Sequence, residues 1–364
     1  MNLLQTLGKI IPPPSYIQLP SVGVDVSDTS LKYIQFRQNS KTATELDLLN
    51  WGDIDIPEGA LERGVVHDGS KLAEVLREVK ERTGIETVRV SLPEERAYLF
   101  ETEIKRGTPL HEIRSQLEFR LEENVPLSPR DAFFDYDIIE TSGNSDMLRV
   151  SVTAYAKETV MSYYDACREA GVVAVSFEIE AQAIARAVIP QGDLGTHMIV
   201  DFGKTRTGVG IVHKGVLMYT STIDMGGAVL SRAMRAKLGD LPEDQLTEIK
   251  NTQGLVRGVG DSTVHDILAE AMESIIEEIT TRIEYWNTKD VAHETRQVQS
   301  VILCGGSVNM KGLPSYFSEK LDVDVTRANV WQNAFSIEHK VPQIGLRYSF
   351  GYATAIGLAL SAFM

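Results

Sequence analysis

The sequence predicts an α/β fold of two related halves around a shared cleft, with a small α+β module inserted into the first half. Three observations predict it. A hairpin of apolar strand, Asp, polar turn and returning strand occurs twice, around Asp25 in Val22–Phe36 and around Asp201 in Met198–Val212. Repetition of a supersecondary unit marks a duplicated architecture, and ligand sites favour the crevices of such folds. The segment from about Arg96 to Gly171 reads strand–helix–strand–strand–helix, a unit able to bury one face by itself. The 364 residues are enough for two domains.

Composition narrows the function. Hydrophobic residues make up 43% and charged residues 24%, the balance of a globular chain. The formal net charge of −15 argues against nucleic acid as a partner, which needs a basic footprint, and against adsorption to anionic lipid. The two cysteines, Cys167 and Cys304, sit in apolar settings and read as buried free thiols in a reducing compartment. No apolar run reaches the roughly 18 residues that span a bilayer, and Met1–Ile11 lacks the basic start and the cleavage site of a signal peptide. The expected location is the cytoplasm.

Element by element, Leu3, Leu4, Leu7 and Ile11 share one face of a short N-terminal helix that Pro12-Pro13-Pro14 stops and extends as a stiff spacer. Val22–Val26 and Leu31–Phe36 are strands about the turn Ser27–Ser30, and Glu45–Ile54 is a third. Pro57 to Gly69 is a loop. Lys71–Arg82 is a helix with Leu72, Val75, Leu76 and Val79 on one face, and Val88–Leu92 is a buried strand ending at Pro93. In the inserted module, Ala97–Ile104 is a strand and Leu110–Glu123 a helix, with Leu110, Ile113, Leu117 and Leu121 at spacings of three and four. Phe133–Glu140 and Leu148–Ala156 are strands joined by a Ser/Gly/Asn turn, and Glu158–Ala170 is a helix ended by Gly171. Val172–Ile179 and a helix from Gln182 resume the first half.

In the second half a strand ends in Asp201-Phe202-Gly203. Strands Gly208–Val212 and Val216–Ile223 follow, and Gly226-Gly227 opens a helix. Glycine lets backbone N–H groups approach an anion, and Asp201 suits Mg²⁺ held through water. Pro242–Gly254 is helix and turn. Thr263–Asn287 is the longest helix, with a stripe from Val264 to Trp286. Val298–Cys304 is a buried strand leading into Gly305-Gly306-Ser307, a helix runs to Leu321, and Gly351–Met364 closes the chain as a small-residue helix.

The runs VGVDVSDTSLKYIQF, IVDFGKTRTGVGIV, VILCGGSVNMKGLPSYFSEKL and GYATAIGLAL, in that order, resemble the two phosphate loops, adenosine motif and closing helix of the actin-like (ribonuclease H-like) ATPase superfamily. Within it, the inserted module resembles that of the type IV pilus assembly family PilM and its relative FtsA. The chain ends without the amphipathic membrane helix typical of FtsA, which favours PilM. The resemblance covers about Val22 to Met364.

The resemblance implies ATP with Mg²⁺ in the cleft. Asp25 and Asp201 would flank the metal; Ser27, Thr29, Ser30 and Lys32 would serve the first phosphate loop, and Gly203, Lys204, Thr205 and Thr207 the second. Gly226 and Gly227 would approach sugar or phosphates, Lys250 the adenosine, and Gly305, Gly306, Ser307 and Met310 would let the backbone approach it. The chain departs from the pattern at Thr247, where relatives usually carry Glu; Glu248 stands beside it. Glu178, Glu180 and Gln182 are candidates to orient water for hydrolysis. The sequence does not choose among them, and weak or no turnover is expected. No motif marks the base that a small-molecule kinase on this fold would need.

The implied domains are 1–20 as tail and spacer, 21–95 with 172–195 as the first half, and 96–171 as the inserted subdomain. Residues 196–235 with 298–345 form the second half, 236–297 a helical subdomain and 346–364 the closing helix. The implied partner is the cytoplasmic N-terminal peptide of a PilN-like membrane protein, with an Asn-Leu-Leu core, in a groove between the first half and the module. Candidate walls are Leu117, Leu121, Val125 and Phe133, with a place in the core as the alternative for each. Other inner-membrane platform proteins and the assembly ATPase are further implied partners, so that the membrane is reached only through partners. Self-association into FtsA-like filaments is the alternative. Met1-Asn2-Leu3-Leu4 resembles the Asn-Leu-Leu core, so the tail is itself a candidate for the groove.

Overall fold

Alternating apolar side chains build the opening strands β1 (Val22–Val26), β2 (Ser30–Gln38) and β3 (Leu46–Asp55). The structure is a computed structural model describing residues 19–39, 45–139, 146–258, 262–289 and 296–364. The N-terminal helix, most of the spacer and tail, and the Thr141–Ser145 turn lie outside the described residues. Val22 and Val24 of β1 are fully buried, as a central strand covered on both faces requires. The expected loop 57–69 contains a two-residue ribbon, β4 (Leu61–Glu62) and β5 (Val65–Val66). Its turn places Arg63 and Gly64 at φ 50 and 71, the positive values a tight hairpin needs. Asp28 Oδ2 accepts from Arg63 N and Oδ1 from Gly64 N, both at 3.1 Å, and so holds this turn.

Helix α1 (Gly69–Thr83) is capped by Asp68, whose side chain accepts from Lys71 N, and by Gly84 at φ 68; Leu72, Val75, Leu76 and Val79 are buried. Strand β6 (Thr87–Leu92) follows. The inserted module consists of β7 (Ala97–Lys105), α2 (Leu110–Asn124), β8 (Ala132–Ile139) and β9 (Met147–Ala156). Its antiparallel sheet has the order β7-β9-β8, which leaves β8 at an edge. Ile113 and Leu117 of α2 pack on Ile104, Val150 and Val152, and Leu121 packs with Val125, Ala132 and Ala154. The last helix of the expected module, α3 (Lys157–Ala170), packs instead on α1. Lys80 Nζ donates to Gly171 O at 3.0 Å, and Tyr163 Oη to Gly64 O at 3.2 Å. Strand β10 (Val173–Ile179) and helix α4 (Glu180–Val188) complete the run; α4 starts two residues before the expected Gln182.

The second sheet is formed by β11 (Thr196–Phe202), β12 (Thr207–His213), β13 (Val216–Ile223), then β14 (Ser300–Cys304) and β15 (Asp324–Arg327). Between β13 and β14 lie α5 (Gly227–Leu238), α6 (Glu243–Thr252) and α7 (Ser262–Asn287), and between β14 and β15 lies α8 (Leu313–Leu321). A turn of helix, α9 (Leu346–Ser349), precedes the closing helix α10 (Ala353–Leu360).

The duplication expected from the two hairpins is present in the sheets. The first has the order β3-β2-β1-β6-β10 and the second β13-β12-β11-β14-β15. In each, the first strand pairs antiparallel with the second and parallel with the fourth, and the fifth is parallel to the fourth. Asp25 and Asp201 each stand one residue before the end of the first strand. The chain divides into two units: residues 1–191 with 330–345 and 352–364, and residues 192–329 with 346–351. In the first, every residue of α10 is buried. A Cβ on Gly23 would collide with Ala355 O, and one on Gly357 with Ala183 O, so these glycines let α10 lie directly on β1 and α4.

Candidate functional site

The first unit offers one phosphate-loop candidate at the β1–β2 turn. Ser27 N and Oγ both donate to Ser30 O, at 3.0 and 2.8 Å, and Ser30 N returns a bond to Ser27 Oγ. Thr29 is exposed at its tip. Lys32 Nζ donates to Ser30 Oγ at 2.8 Å and lies 3.8 Å from Asp53. Ser91 Oγ accepts from Val26 N and donates to Asp25 Oδ1 at 3.3 Å. Burial pushes the Asp25 carboxyl above its ordinary value, against the opposing pull of the Lys32 ammonium and the Ser91 bond.

The second unit gathers Asp201, Gly203, Gly226, Gly227, Gly305 and Ser307 in one loop cluster. Gly227 N donates to Gly203 O and Ala228 N to Lys204 O, at 3.0 and 2.8 Å. Ser307 Oγ donates to Gly203 O at 2.9 Å, and Thr207 Oγ1, fully buried, to Met225 O at 2.7 Å. Gly305 has φ 95, and a Cβ there would stand 2.6 Å from Phe202 O and collide with Asp201 Oδ1; one on Gly226 would meet three backbone atoms at 2.8 Å. Only glycine packs these loops around Asp201. Lys204, Thr205 and Gly306 are exposed, whereas Met310 is buried in the core. Lys250 Nζ donates to Ser231 Oγ at 2.8 Å and stands 3.5 Å from Glu243. Burial lowers its pKa against the pull of Glu243.

The first loop supplies one carboxylate, Asp25, beside a turn of hydroxyls, and the second supplies Asp201 with glycine-rich backbone around it. Among the described residues no three His, Cys, Asp or Glu side chains cluster as a metal cage. Taken one by one, each aspartate suits Mg²⁺ carried on phosphate, which keeps most of its waters and takes few protein ligands.

Within the first unit, a groove of about 410 Å³ runs between the module and the main sheet. Phe133–Asp137 of β8 and Thr153 and Tyr155 of β9 form one wall, and Ser176–Ile179 of β10 with Gln182 and Arg186 of α4 the other. Arg89, Leu92, Val160 and Ser361 close it. Both β8 and β10 are edge strands of their sheets. The polar floor is tightly paired: Arg186 Nη2 meets Glu178 Oε2 at 2.6 Å, and Ser176 Oγ donates to Glu178 Oε1 at 3.1 Å. Arg89 donates to the hydroxyls of Ser21, Ser176 and Ser361. Burial lowers the Arg89 pKa, and burial together with Asp135 raises that of Asp137. Chemically the site combines aromatic walls, strand edges and a buried ion pair, the equipment for an extended peptide.

Of the expected walls, Phe133 lines the groove and is 42% exposed. Leu117, Leu121 and Val125 form the module core instead, because α2 lies on the sheet face. Glu178 and Gln182 line the groove, and Glu180 opens α4. Sequence reasoning passed over Arg89, Asp135, Tyr136, Asp137 and Arg186. The available signal was Arg89, a cation interrupting the apolar run Val88–Leu92.

Among solved structures, the chain is similar to a PilM-PilN type IV pilus biogenesis complex, with a TM-score of 0.76 and 19% identity over 95% of this chain and 99% of that one. It is also similar to the ethanolamine utilization protein EutJ from Carboxydothermus hydrogenoformans, with a TM-score of 0.53 and 16% identity over 96% and 90%. The third is MreB 5 of Spiroplasma citri bound to AMPPNP, with a TM-score of 0.53 and 12% identity over 95% of each chain. These likenesses show a shared fold, in agreement with the duplicated sheets. The model of the type IV pilus assembly protein PilM matches residues 23–363, from the first strand past the closing helix. Since that span takes in both hairpins and the inserted module, the chain belongs to the PilM family of type IV pilus assembly proteins.

Proposed function

We propose that this chain is an ATP-binding cytoplasmic adaptor of the type IV pilus inner-membrane assembly complex. Its groove receives the N-terminal peptide of a PilN-like membrane protein, and the membrane is reached through that partner. The observation that carries the reading is the groove, whose walls are two sheet edges. An extended peptide gains main-chain hydrogen bonds at such an edge, and its alternate side chains enter the aromatic wall. Support comes from the PilM–PilN complex that the fold resembles. Among the described residues no helix is long and apolar enough to cross a membrane.

The loops after β1 and β11 are each candidates to meet ATP with Mg²⁺. Asp25 in the first and Asp201 in the second would hold the metal through its waters. Ser27, Thr29, Ser30 and Lys32 serve the phosphates in the first loop, and Gly203, Lys204, Thr205 and Thr207 in the second. The Gly226–Gly227 and Gly305–Ser307 backbones and Lys250 meet sugar and base. When bound, the nucleotide would supply phosphate charge that the backbone amides recognise, and the aspartates would act through the Mg²⁺ it carries. Glu178, Glu180 and Gln182 are the water-orienting candidates; Glu178 is paired with Arg186, Glu180 opens α4 and Gln182 lines the groove. Filament formation is the second reading, carried by the resemblance of the inserted module to that of FtsA.

Calorimetric titration of a PilN-type Asn-Leu-Leu peptide into the protein with Mg-ATP tests the adaptor reading. One-to-one saturable binding is expected, weakened about 5- to 30-fold by Phe133→Ala, the 1–2 kcal/mol of a truncated aromatic anchor. Absence of binding, with nucleotide shown to be bound, would move the assignment to filaments, which sedimentation with Mg-ATP reads directly.

A further inference from the structure

The first described residues run beside the groove. Thr87 Oγ1 donates to Pro20 O, and Arg89 Nε donates to Ser21 Oγ at 3.0 Å. Arg89 lines the groove, so residues 1–18 are tethered at its rim. Pro12 to Gln18 spans roughly 20 Å at about 3.1 Å per residue in an extended conformation, ample reach into an adjoining groove. The composition of this segment matches the walls. Leu3, Leu4, Leu7, Ile10 and Ile11 are apolar, as are the aromatic walls. The first 18 residues contain Lys9 and no acidic residue, in a chain of net charge −15. The groove presents the opposite sign at Asp135 and Asp137.

We propose that residues 1–11 dock in the groove of their own molecule, as an internal occupant that a partner peptide must displace. The inference rests on the groove being a peptide site. A short tether confers an effective concentration on the order of 1 mM. A segment whose free peptide binds with a Kd of about 100 µM then fills the groove about ten to one and weakens any competitor about tenfold.

The test uses the full chain and a full-chain variant carrying Leu3→Glu with Leu4→Glu. A fluorescent peptide copying residues 1–11 is titrated into each and read by anisotropy. The expected result is binding about tenfold or more tighter to the double variant, and its loss on adding Phe133→Ala. Equal affinity for both chains, or no binding to the double variant, overturns the proposal. A concentration-dependent dimer abolished by the double variant would put the tail in a neighbouring copy and overturn it as well. The Asn-Leu-Leu peptide is titrated into the same double variant. Its binding without that of the tail peptide sinks the inference alone, and the reverse sinks the adaptor reading alone.

Discussion

Asp25 shows how a single carboxylate carries a conflict between stability and function. Burial disfavours its charge, and Lys32 and Ser91 recover only part of the cost. An acid whose pKa is raised on folding takes up protons as the chain folds, so stability falls as pH rises from the ordinary carboxylate range through the raised value. Asp25→Asn should therefore hold or raise the melting temperature of the ligand-free protein at pH 7 while removing the further rise on adding Mg-ATP. A variant that melts lower yet keeps the nucleotide shift would refute this. Asp201→Asn should weaken Mg-ATP by about 10- to 100-fold, the usual loss when an outer-sphere partner of a metal is removed.

The thiols give a second residue-level prediction. Cys167 is buried and its pKa pushed up to about 12, and Cys304 is fully buried with Sγ 3.7 Å from Val200 O. Thiolate is the reactive form. A disulfide-exchange reagent at pH 8 should label neither cysteine in the native protein within minutes and both in denaturant; fast native labelling would show an opening that this packing does not contain.

At the scale of elements, hydrophobic periodicity made most of the molecule legible. The Asp25 and Asp201 hairpins, α1 and α7 stand where alternation, capping residues and apolar stripes put them. Periodicity tells that a face is buried, and not against what. Leu117 and Leu121 read as groove wall or as module core, and α3 reads as part of the module until Tyr163 and Lys80 tie it to the β4–β5 turn and α1. The groove floor was illegible for a related reason: Arg89 lies far in sequence from Glu178 and Arg186 and meets them only through strand order. The small residues of α10 were legible as a packing helix, and the structure adds their partners. Gly357→Val would force a side chain into Ala183 O, with no cavity to take it. We expect it to destabilise by about 1–3 kcal/mol or more, read as a lower urea midpoint; an unchanged midpoint would mean that α10 does not lie on α4 as described.

For the whole molecule, the same strand order in both units makes each a scaffold with an aspartate at the end of its first strand, and the module adds a second kind of site to the first unit alone. Under the proposed reading, nucleotide and peptide are recognised by different parts of one chain, the first on loops and the second between sheet edges. The central claim is that a partner peptide pairs with those edges. Amide hydrogen exchange of the full chain carrying Leu3→Glu with Leu4→Glu, with and without saturating Asn-Leu-Leu peptide, tests it most directly. The account predicts new protection in Ala132–Ile139 or Val173–Ile179, the edge strands of the groove, and little change in β7 or β13. Saturating peptide with protection confined to other strands would contradict it.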